Sequence, residues 1–163
     1  MRPLAKTLES KVRIQYQDCD PFNHLNNSRY IDYIMAARTE QLVEHYHFNT
    51  SEYAYGKNIG WVSAQTQVSY FYPASWMELV TIETRLIQFS ESSLLFEGLM
   101  WDEHKSKLKA VMWAKLVHFN LETQRSFRHS ADLMNLFQEI HDPVEYGNFD
   151  ERVGGLRRVA AAG

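Results

Sequence analysis

The chain has one cysteine in 163 residues, Cys19. No disulfide can close within it, and a reducing compartment is the expectation. No apolar run approaches the ~20 residues needed to cross a bilayer, and the first residues lack the hydrophobic core of a signal peptide. A cytoplasmic protein with no membrane partner is therefore expected. Basic charge is not in excess either: 17 Lys and Arg stand against 20 Asp and Glu, for a net charge of -3, and the basic residues are scattered. Nucleic-acid binding needs a concentrated cationic surface to meet the phosphates, so nucleic acid is not an expected partner. Repeats, low-complexity tracts and linkers are missing too. With 45% apolar residues, the chain can bury a core without cross-links. One domain over residues 1–150 is expected, followed by a loosely ordered tail over residues 151–163.

Apolar residues recur mostly with period two. Val12, Ile14 and Tyr16 alternate with Lys11, Arg13, Gln15 and Gln17, and residues 62–72, 79–89, 94–101 and 107–121 alternate likewise, which marks strands. The turns between the later strands are short enough for antiparallel neighbours. Residues 30–42 break the pattern and read as a helix. Its first two turns lack a polar face, as in a helix buried on nearly all sides, so the strands must wrap it. The last long strand is apolar on both faces, with Val111, Trp113 and Val117 on one and Ala110, Met112, Ala114 and Leu116 on the other. Neither face can lie in water, and a partner is expected to cover it. A final amphipathic segment, residues 130–140, begins at a Ser130 cap.

Chemistry concentrates in residues 16–30, where a strand meets a helix. Pro21 stops the strand, and Asn26, Asn27 or Ser28 can cap the helix by accepting from a free first-turn amide. Asp20 then lies close to the helix's positive end. Asp18 and Asp20 have no second histidine at ligand spacing to join His24, so no metal is expected. Two acids disfavour a Cys19 thiolate, and packing is its expected role. Capping accounts for one or two of these polar groups, not for the cluster. Free helix amides polarise a carbonyl and stabilise the oxyanion of its addition intermediate. A carboxylate beside them can attack that carbonyl or take a proton from water. Thioesters suit such a site, because a thiolate leaves without a strong acid.

The run Asp18-Cys19-Asp20-Pro21-Phe22-Asn23-His24-Leu25-Asn26-Asn27-Ser28-Arg29-Tyr30, together with the order of elements, resembles the hotdog-fold acyl-CoA thioesterases of the 4-hydroxybenzoyl-CoA thioesterase group. Asp20, His24, Asn26, Asn27 and Tyr30 match that family's pattern in order. Ala37-Arg38-Thr39-Glu40 resembles the end of its central helix, and residues 68–74 resemble its tyrosine-to-proline strand end. The resemblance implies an α+β hotdog fold, a five-stranded antiparallel sheet around a long central helix, and hydrolysis of acyl-CoA without a cofactor. It implies Asp20 as nucleophile or general base, the Asn27 amide on the thioester carbonyl, and His24 orienting Asp20 or the attacking water. Asn26 and the Asn27 side chain would hold the turn, and Tyr30 would pack against the acyl group or the facing subunit. That subunit would bring Trp61, Val62, Ser63 and Gln65 to the acyl pocket of a homodimer or homotetramer.

Two positions depart from the pattern. Many relatives carry a glutamate where this chain has Met35, and plant acyl carrier protein thioesterases carry an asparagine where it has Phe22. Met35 keeps a non-catalytic acyl-CoA-binding hotdog protein in view, and a hotdog dehydratase or hydratase is the rival enzyme. Lys57, Arg85, Lys105, Lys107, Arg125 and Arg128 are the basic residues open to the coenzyme A phosphates.

Overall fold

The structure is a computed structural model that describes residues 2–162. Strand β1 (Thr7–Arg13) is followed by helix α1 (Tyr30–Tyr46), short helix α2 (Thr50–Ala54) and strands β2 (Ile59–Tyr70), β3 (Leu79–Phe89), β4 (Ser93–Asp102) and β5 (Leu108–Asn120). A two-residue strand β6 (Arg125–Ser126) and helices α3 (Ala131–Ile140) and α4 (Phe149–Ala162) complete the chain. The long strands pair antiparallel in the order β1-β3-β4-β5-β2, with β6 on β5. The sheet is thus the expected five strands plus that minor sixth, curled round α1.

The apolar side of α1 supplies Tyr30, Ile34 and Ala37 to a core shared with Ile82, Met100 and Met112. Helix and sheet meet closely at Gly98, where a Cβ would lie 2.3 Å from Ile34 Cγ2. The helix outruns its expected end at residue 42. It stops where His47 turns left-handed (φ 54°) and donates its N–H to Val43 O at 3.1 Å, the usual way a helix closes its last turn. The expectation of burial on nearly all sides fails at Asp32, Ala36, Thr39 and Glu40, which are exposed. The sheet covers one side of the helix only.

The tail is not loose. Phe149, Val153 and Leu156 share a face of α4 and pack on Val111, Trp113 and Leu99. The chain's own C-terminal helix therefore covers the outer face of β5, and the need for a partner there, argued from the sequence, falls away. A buried carboxylate fastens it: Glu97, 1% exposed, accepts from Arg152 Nε and Nη2 at 2.8 Å each and from Trp113 Nε1 at 2.9 Å. Gly163 lies outside the described residues.

Candidate active site

The turn from Cys19 to Leu25 is held by its own backbone. Asp20 N–H donates to His24 O at 2.8 Å, Asn23 N–H to Asp20 O at 3.0 Å, and Cys19 bridges Leu25. Asn23 adopts a left-handed φ of 61°, a conformation asparagine tolerates better than most residues. Asp20 Oδ1 accepts from the N–H groups of Phe22 (2.9 Å) and His24 (3.1 Å). Both bonds fall on one oxygen, and among the described residues Oδ2 has no donor. The turn is docked on the segment before β3, with Leu25 N–H on Ala74 O at 2.7 Å and Trp76 N–H on Asn23 O at 2.8 Å.

The helical segment begins with a single 3-10 turn, Asn27–Arg29, that runs into α1. Of the three expected caps, Asn26 is the one used: its Oδ1 accepts from Ser28 N–H at 3.1 Å and from the Ser28 hydroxyl at 2.9 Å. Among the described residues nothing accepts from the Asn27 N–H, whereas its carbonyl accepts from the Tyr70 hydroxyl at 2.7 Å. Tyr70, which sequence reasoning did not single out, thus fixes the backbone of Asn27 at the helix start. Its ring packs edge-on against Tyr30 at 5.1 Å. The strand-end match over residues 68–74 was the available signal.

Tyr30 lies in the core with its hydroxyl accepting from Ala74 N–H at 3.0 Å. It is 2% exposed, so within its own chain it braces the helix start from behind. The second acid of the run has a different task from Asp20. Asp18 accepts from the Tyr33 hydroxyl at 2.6 Å, and burial together with that bond pushes the Tyr33 phenol up to about 12. The Asp18 side chain ties the segment after β1 to α1, while its backbone carbonyl closes the turn that holds Asp20 by accepting from Asn26 N–H at 2.9 Å. Cys19 packs against the core, and burial, then the two acids, raise its thiol, as a packing residue requires.

A second feature lies further along α1. Met35, Arg38, Leu42, Trp61, Ser63 and Phe137 contribute to a cavity of about 190 Å³ between α1, the sheet and α3. Trp61 is held there by a bond from Nε1 to His129 Nε2 at 3.1 Å and by the His118 ring at 4.7 Å. Of the four β2 residues expected to work together, only Trp61 and Ser63 line this cavity. The register shifts between Ser63 and Gln65, and such a bulge reverses the alternation of faces. Gln65 accordingly opens onto a groove on the other side, with Trp113 and Phe149, and Val62 is exposed. None of Asp20, His24, Asn26 or Asn27 lines the cavity.

The structure also sorts the basic residues. Arg85 faces Glu97 (3.6 Å) and Asp142 (3.7 Å), and Lys105 pairs with Glu9 and Glu83, so both are committed internally. Arg128 meets Glu91 at 3.5 Å. Lys57 and Lys107 rest over the Tyr53 and Tyr72 rings, with their charges unmatched by any acid within 4.0 Å among the described residues. No helix among the described residues is long and apolar enough to cross a membrane.

Known proteins share this architecture. The long-chain acyl-CoA thioesterase FadM of Escherichia coli K12 is 22% identical over 133 residues, covering 82% of this chain and 98% of its own. The DHNA-CoA thioesterase of Staphylococcus aureus matches in structure with a TM-score of 0.75 at 14% identity, over 82% of this chain and 90% of that one. Protein SAV2348 of the same organism, solved in complex with CoA, gives a TM-score of 0.77 at 10% identity, over 91% and 94%. The fold is the hotdog fold. A family model described as the thioesterase-like superfamily matches residues 14–137, a span that holds the aspartate turn, the central helix and strands β2 to β5: the chain belongs to that superfamily.

Proposed function

We propose that the chain hydrolyses acyl-CoA thioesters to a carboxylic acid and free coenzyme A. One observation carries this reading: an anchored carboxylate, Asp20, stands seven residues before a helix start whose Asn27 N–H is unengaged. The thioester oxygen accepts from that N–H, and the positive end of the helix favours the charge that builds on the oxygen. Asp20, held through Oδ1, presents Oδ2. As a general base it takes a proton from water while the water oxygen attacks the carbonyl carbon. The tetrahedral oxyanion then collapses, the C–S bond breaks, and the coenzyme A thiolate takes up the proton. As a nucleophile, Oδ2 attacks first and expels the thiolate, and water opens the resulting anhydride.

His24 orients Asp20 or the water, and Asn26 keeps the helix start in place. Assembly as a homodimer or homotetramer is part of the proposal. β2 is an edge strand of twelve residues, exposed over residues 62–66, and its unpaired N–H and C=O groups suit pairing with a second copy. Such pairing would bring the partner's β2 toward the turn. The lone Cys19 and a coenzyme A substrate support a cytoplasmic setting. Met35 on the cavity wall favours one rival, a protein that binds acyl-CoA without hydrolysing it. Release of free thiol from a panel of acyl-CoAs separates the two: turnover supports the hydrolase, and binding without thiol release rejects it.

A further inference from the structure

The cavity against α1 is apolar on most sides, with Leu42, Phe48, Leu86, Leu94, Phe96 and Phe137 in its wall. One cation also lines it: Arg38, which is 7% exposed. Two other cations drawn in from solvent, the buried Lys109 and the half-buried Arg152, have acids. Lys109, 8% exposed, meets Glu78 at 3.0 Å, and Arg152 meets Glu97 at 2.8 Å. Arg38 has none within 4.0 Å among the described residues. Its Nη1 donates to the Thr84 hydroxyl at 3.0 Å, Thr84 donates to Gln41 Oε1 at 2.6 Å, and Gln41 Nε2 reaches Ser10 Oγ and Ile82 O. Every group in that chain is neutral. The Phe96 ring, 5.7 Å from the guanidinium carbon, and the neighbouring Tyr46 hydroxyl are neutral too.

A guanidinium carries five N–H donors in a fork that matches a carboxylate, and leaving a desolvated cation unpaired is costly. Burial pulls Arg38 down to about 10, which still leaves it charged at neutral pH. The residue one helical turn before it on the cavity wall, where an acid could pair with it, is Met35.

We propose that Arg38 is the receptor for an aliphatic carboxylate whose alkyl chain fills this cavity. Two sources offer that group: the far end of a dicarboxylic acyl thioester, and the free acid that hydrolysis releases. The first source rests on the thioesterase reading, and binding itself does not.

The kinetic test compares kcat/KM for octanoyl-CoA with that for its dicarboxylic counterpart, suberoyl-CoA, and for longer and shorter pairs. The wild type should prefer the dicarboxylic ester at one length by at least about tenfold, the scale of a charge-assisted hydrogen bond, and Arg38→Met should abolish the preference. Met35→Glu should abolish it as well, because it supplies the missing acid internally while favouring the folded state. Calorimetry with suberate and octanoate, using the unliganded protein, needs no turnover. Heat from either acid that is lost in Met35→Glu supports the site, and octanoate binding without an ester preference assigns it to the released acid. Thioester hydrolysis with neither an ester preference nor acid binding overturns the proposal and leaves the thioesterase reading standing. Acid binding without hydrolysis of any ester does the reverse.

Discussion

Arg152→Met should undo the fastening of α4. In the wild type, Glu97 is buried and takes two bonds from Arg152 and one from Trp113, with Arg85 at 3.6 Å. Removing Arg152 leaves a carboxylate in the interior with its main counter-ion gone. Breaking a buried pair from one side costs ~3–5 kcal/mol. Arg85 compensates in part, so the lower end, about 3 kcal/mol, is expected here. At about 2–4 °C per kcal/mol for a domain of this size, the melting temperature should drop by about 6–12 °C. Glu97→Gln in the same chain removes the stranded charge, and the double variant should recover at least about 1 kcal/mol of the loss. Circular dichroism melts of the four proteins give the coupling directly. An Arg152→Met protein that melts within about 2 °C of wild type, as an exposed substitution would, refutes the argument that α4 is clamped through Glu97.

Three further outcomes can be checked. Tyr70→Phe removes the donor on the Asn27 carbonyl and should lower kcat by about threefold to tenfold, the scale of one net hydrogen bond; an unchanged kcat would mean that the helix start needs no such brace. Burial holds the His118 and His129 imidazoles below their ordinary 6.5, so the unfolded chain binds more protons below that value and stability falls with pH there. Melting temperature should therefore drop between neutral pH and about pH 5, and His118→Gln should flatten that slope. Sedimentation should give a dimer or tetramer at micromolar concentration, and a stable monomer would contradict pairing through β2.

The sequence showed most of the sheet because its strands are half-buried and their period of two survives in the side chains: residues 79–89 coincide with β3. The start of α1 was equally visible in the apolar run after Tyr30. Its end was not, since the polar turn Glu44-His45 carries no stop signal and closure depends on the backbone at His47. Helix α4 is masked in the sequence by Gly154 and Gly155, which suggest a loose chain. Yet Phe149, Val153 and Leu156 stand at helical spacing, and Gly155 is needed for contact: a Cβ there would lie 2.3 Å from the Tyr146 hydroxyl. With α4 in place, the outer face of β5 is covered from within the chain, which is why its two-faced apolar pattern does not require a partner there. In the site, the turn and a cap from Asn26, Asn27 or Ser28 followed from local residue types, and the structure selects Asn26. The Tyr70 brace, the isolation of Arg38 and the bulge that parts Gln65 from Ser63 depend on tertiary neighbours, which no spacing along one strand or helix reveals.

The central claim, that Asp20 does the chemistry at the helix start, is tested most directly by thiol release from acyl-CoA with Asp20→Asn. The amide oxygen can still accept from Phe22 and His24 N–H, so the turn and the melting temperature should hold. Turnover should fall at least about a hundredfold, as expected when a general base is lost. A folded Asp20→Asn protein that keeps most of the wild-type rate would contradict the account.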